Sequence, residues 1–199
     1  AGDRFLIALF LGPEAVGVYA AGYGIADKSV GLLCAWAAAA GAPMMMAAWE
    51  REGPEAVREV SRHLARTLLL IAAPAATGLA LVAQPLSDVM IGEDMRAQAA
   101  SIMPWIALSG LINGFVLHYV SEAYQLSHRT DLRAWLMLIP ALANLALNAI
   151  LLPWIGLMGA VYSTVACYAL ALLLLAGVAR KLAPLSWPWR DFLKVAGAC

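Results

Sequence analysis

Residues 134–179 read AWLMLIPALANLALNAILLPWIGLMGAVYSTVACYALALLLLAGVA and contain no Asp, Glu, Lys or Arg. A helix needs roughly 20 apolar residues to cross the hydrocarbon core of a bilayer, which is about 30 Å thick. The stretch is long enough for two crossings. We therefore predict two membrane-spanning helices, at 134–152 and 158–179.

Three further stretches reach the length of a span, at 16–48, 66–83 and 98–125. Residues 5–11, FLIALFL, are typical of the last turns of a sixth helix, and residues 189–195 of the start of another. We expect an all-α polytopic bundle in which residues 1–199 form a single domain that is truncated at both ends.

Composition excludes most soluble functions. The chain is 63% hydrophobic and only 13% charged, whereas soluble domains carry about 25% charged residues. Its net charge of zero provides no basic field for nucleic acid. Cys34, Cys167 and Cys199 match no zinc or redox spacing, and no catalytic motif is present. We expect no enzyme activity, no metal and no cofactor. A membrane acyl- or glycosyltransferase or a structural scaffold remain as rivals.

The basic residues give the orientation. If the connections alternate and residues 12–15 lie outside, ten basic residues fall inside and one outside, as the positive-inside rule requires. The inside set is Arg51, Arg58, Arg62, Arg66, Arg129, Arg133, Arg180, Lys181, Arg190 and Lys194, and the outside residue is Arg96. Residues 54–66 follow Gly53, begin with Pro54 and then alternate in charge. This pattern predicts a cytoplasmic helix that lies along the membrane surface and leads into the next span.

Four ionisable residues lie near mid-depth on consecutive helices. At 1.5 Å per residue, Asp27 and Lys28 lie roughly 17 Å below the outer surface, and Asp3 and Arg4 roughly 12 Å below it. Charges in a bilayer need a partner or a water-filled cavity. One interpretation pairs Asp3 with Lys28 and Arg4 with Asp27, which would lock the two helices together. The other exposes these residues to an aqueous cavity as a substrate-binding site for an anionic group.

A second set of polar residues lies on the later spans. His118 and Glu122 are four residues apart and are expected to share one helix face, either in an interhelical hydrogen bond or in a proton-linked role. Asn144 and Asn148 share that spacing, and Asn113 lies on the preceding span. Asparagines in membrane helices commonly join neighbours by hydrogen bonds, so we interpret these three mainly as helix contacts.

Two motifs resemble the polysaccharide exporters, the O-antigen and capsule flippases of the multidrug/oligosaccharidyl-lipid/polysaccharide superfamily. The first is DRFLI at 3–7 followed by FLGPEAVGVYAA at 10–21. The second is NLALN at 144–148, which is followed by Leu151, Leu152, Pro153, Gly156, Gly159, Ala160 and Thr164. The order and spacing of the pieces carry the resemblance more than any one of them.

The resemblance implies that the chain is the second six-helix half of a transporter with twelve to fourteen spans in the bacterial cytoplasmic membrane. Its partners would be membrane lipid, the N-terminal bundle of the same protein and a lipid-linked oligosaccharide diphosphate, which it would flip by alternating access. Arg4 and Lys28 are then the candidates to receive the diphosphate. A cation-coupled multidrug exporter of the same superfamily is the alternative.

Overall fold

The computed structural model describes residues 2–186. Within that range the chain forms helices α1 (Gly2–Leu11), α2 (Pro13–Arg51), α3 (Pro54–Leu81), α4 (Ala83–Met90) and α5 (Glu93–Phe115). A π-helical turn (Val116–Val120) joins α5 to α6 (Ser121–Leu126), and α7 (Thr130–Ile155) and α8 (Leu157–Leu182) follow. The expected all-α fold is confirmed. The additional helix predicted at 189–195 lies outside the described residues.

Among residues 2–186, five helical stretches are long and apolar enough to cross a membrane: Pro13–Arg51, Pro54–Leu81, Glu93–Leu126, Thr130–Ile155 and Leu157–Leu182. Each contains one predicted span or nearly all of it, and four of the five extend beyond the predicted span at both ends, while Pro54–Leu81 ends two residues before it. The predicted spans are therefore confirmed as helices. They form a multi-pass membrane protein.

Glycines with positive φ mark three of the connections. Gly12, Gly53 and Gly156 have φ values of 88°, 85° and 62°, a region that side chains with a Cβ rarely adopt. Proline follows the first two as the first helical residue, where its missing N–H costs nothing. These pairs turn the chain sharply, so that α2 folds back on α1 and α3 on α2.

Residues 54–66 differ from their prediction. The structure makes them the first half of α3, which continues without interruption to Leu81, rather than a separate surface helix. The reason is a single buried stripe with helical spacing that runs from the charged half into the apolar half. Its members are Val57, Ser61, Leu64, Ala65, Leu68, Leu69 and Ala72.

Helices α2 and α5 form the centre of the bundle. Three contact pairs join them, each 80 residues apart in the chain: Gly22 with Ile102, Val30 with Gly110, and Cys34 with Gly114. A constant separation means that the two helices run parallel. Small residues at these contacts let membrane helices approach closely, and the π-helical turn continues α5 along the same side of α2.

The predicted cytoplasmic connections lie at one end of the bundle. After α8 the chain returns across that end, where the Ser186 N–H donates to Ser61 Oγ of α3 at 3.0 Å. The Tyr119 hydroxyl donates to the Ser186 carbonyl oxygen at 2.5 Å. Two segments that the positive-inside count places inside are therefore joined to each other and to the π-helical turn at the end of the third predicted span. Their orientation relative to the membrane stays a prediction.

Candidate functional site

One polar cluster joins α1 to α7. Asn148 is fully buried and its amide donates to Asp3 Oδ1 at 3.0 Å, to the Asn144 carbonyl oxygen at 3.0 Å and to Asn144 Oδ1 at 3.1 Å. The helix-joining role predicted for Asn148 fits this bond between α1 and α7. Asn148 Oδ1 is buried without a hydrogen-bond partner among residues 2–186.

A cavity of about 310 Å³ opens beside this cluster, lined by Asp3, Asn144, Thr164, Cys167 and Tyr168 among others. The oxygen atoms that α1, α7 and α8 bring to it are a carboxylate, an amide and two hydroxyls. Such oxygens are the ligands that hard cations prefer. The described part of the chain contains no group of three or more His, Cys, Asp or Glu side chains that could hold a metal ion, so a transition-metal site finds no support there.

Arg4 opens onto a second cavity. It has a volume of about 370 Å³ and is lined by Asp3, Arg4, Tyr19, Tyr23 and Tyr168. The Tyr23 and Tyr168 hydroxyls lie 3.4 Å apart, and the two rings of Tyr19 and Tyr23 have centroids 5.5 Å apart. Arg4 therefore shares this cavity with three tyrosines and with Asp3, but it forms no ion pair with Asp3 within 4.0 Å.

Lys28 lies in a third space, a groove between α2 and the α5–π segment. The groove has a volume of about 480 Å³, and its polar members are Asp27, Lys28, Asn113 and His118. Lys28 is exposed, while the other three are partly exposed. The Tyr23 hydroxyl lies near the Asp27 carboxylate, so the groove adjoins the tyrosine cavity.

The expected pairing of Asp3 with Lys28 and of Arg4 with Asp27 is wrong. Among residues 2–186, no ion pair within 4.0 Å includes any of these four residues. The physical reason is rotation: successive residues of a helix point 100° apart, so an adjacent acid and base point in different directions, and similar depth alone does not bring both onto opposite charges. Asp3 instead meets Asn148. The substrate-binding role of the four residues stays a prediction.

His118 and Glu122 lie in different environments. His118 belongs to the π-helical turn and lines the groove with Lys28. Glu122 is 8% exposed and accepts a bond from Gln125 Nε2 of its own helix at 3.3 Å. The interhelical bond expected for this pair is absent among the described residues. Asn113, interpreted as a helix contact, lies in the groove instead.

A scan against protein-family models matches residues 1–100 to a family described as "Polysaccharide biosynthesis protein". The match begins at α1 and ends inside α5. The chain belongs to this polysaccharide biosynthesis protein family. Searches of the curated proteins and of the solved structures found no match. The family that the two sequence motifs indicated is confirmed.

The matched half of this polysaccharide biosynthesis protein contains Asp3, Arg4, Asp27 and Lys28. His118, Asn144 and Asn148 lie beyond it, so the structure alone relates them to the first four. Sequence reasoning missed the tyrosines of the cavity. Their signal was present, since Tyr19, Tyr23 and Asp27 recur every four residues and therefore share one face of α2.

Proposed function

We propose that this family member is one helical bundle of a transporter that flips a lipid-linked oligosaccharide across the bacterial cytoplasmic membrane. The observation that carries the proposal is the state of two cations, one in α1 and one in the span formed by α2. Arg4 and Lys28 each border a cavity and form no ion pair within residues 2–186. A charge held without a partner in a membrane is costly and marks a functional site by default.

The expected ligand follows from the two charges. A guanidinium and an ammonium inside an apolar bundle favour an anion, and Arg and Lys are the common ligands of phosphate groups. A lipid-linked oligosaccharide carries phosphate between its lipid and its sugars. The tyrosine cavity next to Arg4 would suit the sugars, because aromatic faces and hydroxyls combine apolar contact with hydrogen bonding.

The proposed transporter uses no chemistry of its own. Its second bundle would be the N-terminal half of the same protein, and alternating access would follow from movement of one bundle against the other around a site at mid-depth. Under this proposal, Arg4 and Lys28 bind the substrate while the cavity closes on the cytoplasmic side of the membrane and opens on the other side.

The test uses cells that lack their own flippase and express the full-length protein. The expected result is that wild-type protein restores glycan at the outer leaflet, while the Arg4→Ala, Lys28→Ala double variant accumulates equally and does not. The matched control replaces Arg62 and Lys181, which are exposed at the predicted cytoplasmic end. Normal flipping by a well-expressed double variant would exclude these residues as the substrate site.

A cation-coupled exporter is the second candidate, and one observation favours it. Asp3, Asn144 and Thr164 bring oxygens to one cavity beside the unpartnered Asn148 Oδ1, which is the composition expected of a site for a hard cation. Transport of a cationic drug that depends on a sodium or proton gradient and is lost in Asp3→Asn would support it. Flipping of glycan without drug transport would refute it.

A further inference from the structure

The groove between α2 and the α5–π segment begins at the level of Lys28 and runs toward the predicted cytoplasmic end. On α2 its lining runs from Asp27 to Ala35, and on the opposite wall from Gly110 to His118. Each wall is nine residues long, or roughly 12 Å over eight rises of 1.5 Å. Lys28 therefore occupies one end of the groove and His118 the other.

The groove is open because its lining is small where the two helices meet. A Cβ on Gly110 would lie 3.6 Å from Asp27 Oδ1, and one on Gly114 would clash with Cys34 Sγ. The two helices are thus as close as glycine allows. Gly110 and Gly114 form the bottom of the groove, and the longer side chains form its sides. The polar groups are spread along the groove, with Asn113 between the levels of Lys28 and His118.

Donors dominate this groove. Lys28 offers an ammonium, Asn113 an amide NH₂ and His118 a ring N–H even when the imidazole is neutral. None of the three has a side-chain hydrogen bond or ion pair to another residue of the described range. Asp27 is the one acceptor carboxylate, and it lies at the outer end beside the Tyr23 hydroxyl.

The backbone at His118 is itself unusual. Residues Val116–Val120 form a π-helical turn, in which Ser121 Oγ donates to the Val116 carbonyl oxygen at 2.6 Å. Single π-helical turns inside α-helices are uncommon and occur frequently at functional sites. The altered turn changes the direction of His118 relative to a regular helix, while Glu122, one turn further on, is buried outside the groove.

We propose that His118 and Asn113 form, with Lys28, a binding groove for the diphosphate of the lipid-linked substrate. This inference rests on the proposed function and adds two binding residues on α5 and the π-helical turn. Phosphate oxygens accept from all three groups, and Asp27 at the outer end accepts from a hydroxyl of the first sugar. The lipid chain would leave the groove past Leu32 and Leu117, which are exposed and line it.

The experiment measures binding of a polyprenyl diphosphate, a polyprenol without phosphate and inorganic pyrophosphate to the purified full-length protein. We expect the wild type to bind the diphosphate lipid and His118→Ala to weaken that binding about tenfold, as for loss of one hydrogen bond to a charged group. His118→Gln should recover part of it, since the amide retains a donor. Pyrophosphate should compete with the lipid in the wild type and lose that ability in His118→Ala.

His63 provides the matched control, because it is exposed on α3 and contacts Glu59 at 3.0 Å, far along the chain from the groove. His63→Ala should leave binding unchanged. Unchanged affinity of His118→Ala, or an equal loss for the polyprenol without phosphate, would overturn the role of His118 and leave the proposed function standing. Failure of the wild type to bind any diphosphate lipid would overturn the proposed function itself.

Discussion

Replacement of Lys28 by alanine distinguishes two roles for this residue, an ion pair that holds helices together and a contact with a ligand. In a locked quartet, removal of the lysine would strand a buried carboxylate, which costs about 3–5 kcal/mol. That is a large part of the stability of a typical protein. The structure predicts a smaller loss of stability for Lys28→Ala, because Lys28 is exposed in the groove and has no ion-pair partner within residues 2–186.

The expected cost of Lys28→Ala is therefore that of an exposed substitution, about 0.5 kcal/mol or less. Asp27 keeps its place near the Tyr23 hydroxyl and is not left in an apolar environment. Protein abundance and melting temperature should stay close to those of the wild type. Lipid-linked glycan should meanwhile build up on the inner leaflet, because the substrate loses a contact to its phosphate.

The assay compares the amount of protein in the membrane with the amount of flipped glycan in the same cells. Lys181→Ala is the matched control, since Lys181 is an exposed lysine at the end of α8 and should change neither quantity. The reasoning is refuted if abundance falls and a second change, Asp27→Asn or Asp3→Asn, restores it. That rescue would mean that the lysine neutralises a buried acid.

Three other predictions test the packing and the orientation. Gly114→Ala should destabilise the protein by about 1–3 kcal/mol because the added Cβ would meet Cys34 Sγ. Thermal denaturation should show that Cys34→Ala partly restores the stability of this variant. Gly78→Ala is the control and should have no effect, because the space around Gly78 is open. Asn148→Ala should cost about 1–2 kcal/mol, and its effect should not add to that of Asp3→Ala, since both remove the same hydrogen bond; additive losses would contradict the contact. Accessibility tags at Arg58, Ser127 and Ser186 should report the cytoplasm and tags at Asp88 and Trp154 the outside, and a cytoplasmic Asp88 would overturn the orientation.

The spans could be predicted because apolar length is a local property of the sequence. Residues 134–179 need only their composition to indicate two crossings, and the structure divides them at Gly156. The predicted boundary between a surface helix and a span at residue 66 was wrong because it, too, relied only on local composition. Charge ends at that residue and hydrophobicity begins, but the buried stripe from Val57 to Ala72 continues across it, so the helix continues too.

The depth of the candidate site stays a prediction of the sequence, whereas the direction of its side chains could not be predicted from the sequence. Counting 1.5 Å per residue assigns Asp3, Arg4, Asp27 and Lys28 to the same level, but it does not determine how each helix is rotated about its axis. Rotation is set by packing, and the close contacts of Gly22 with Ile102 and of Gly114 with Cys34 fix it for α2.

That rotation decides which polar groups meet. With α2 fixed against α5, Asp27 points toward Tyr23 and Lys28 opens into the groove with His118, a residue 90 positions later in the chain. Asp3 is likewise drawn to Asn148, which lies 145 positions away. Charges that are neighbours in sequence are therefore divided among different partners, because adjacent residues on a helix must face different directions. A pattern of opposite charges at equal depth predicts an ion pair only if the same helix faces also meet, and here it is the glycine contacts that determine whether they do.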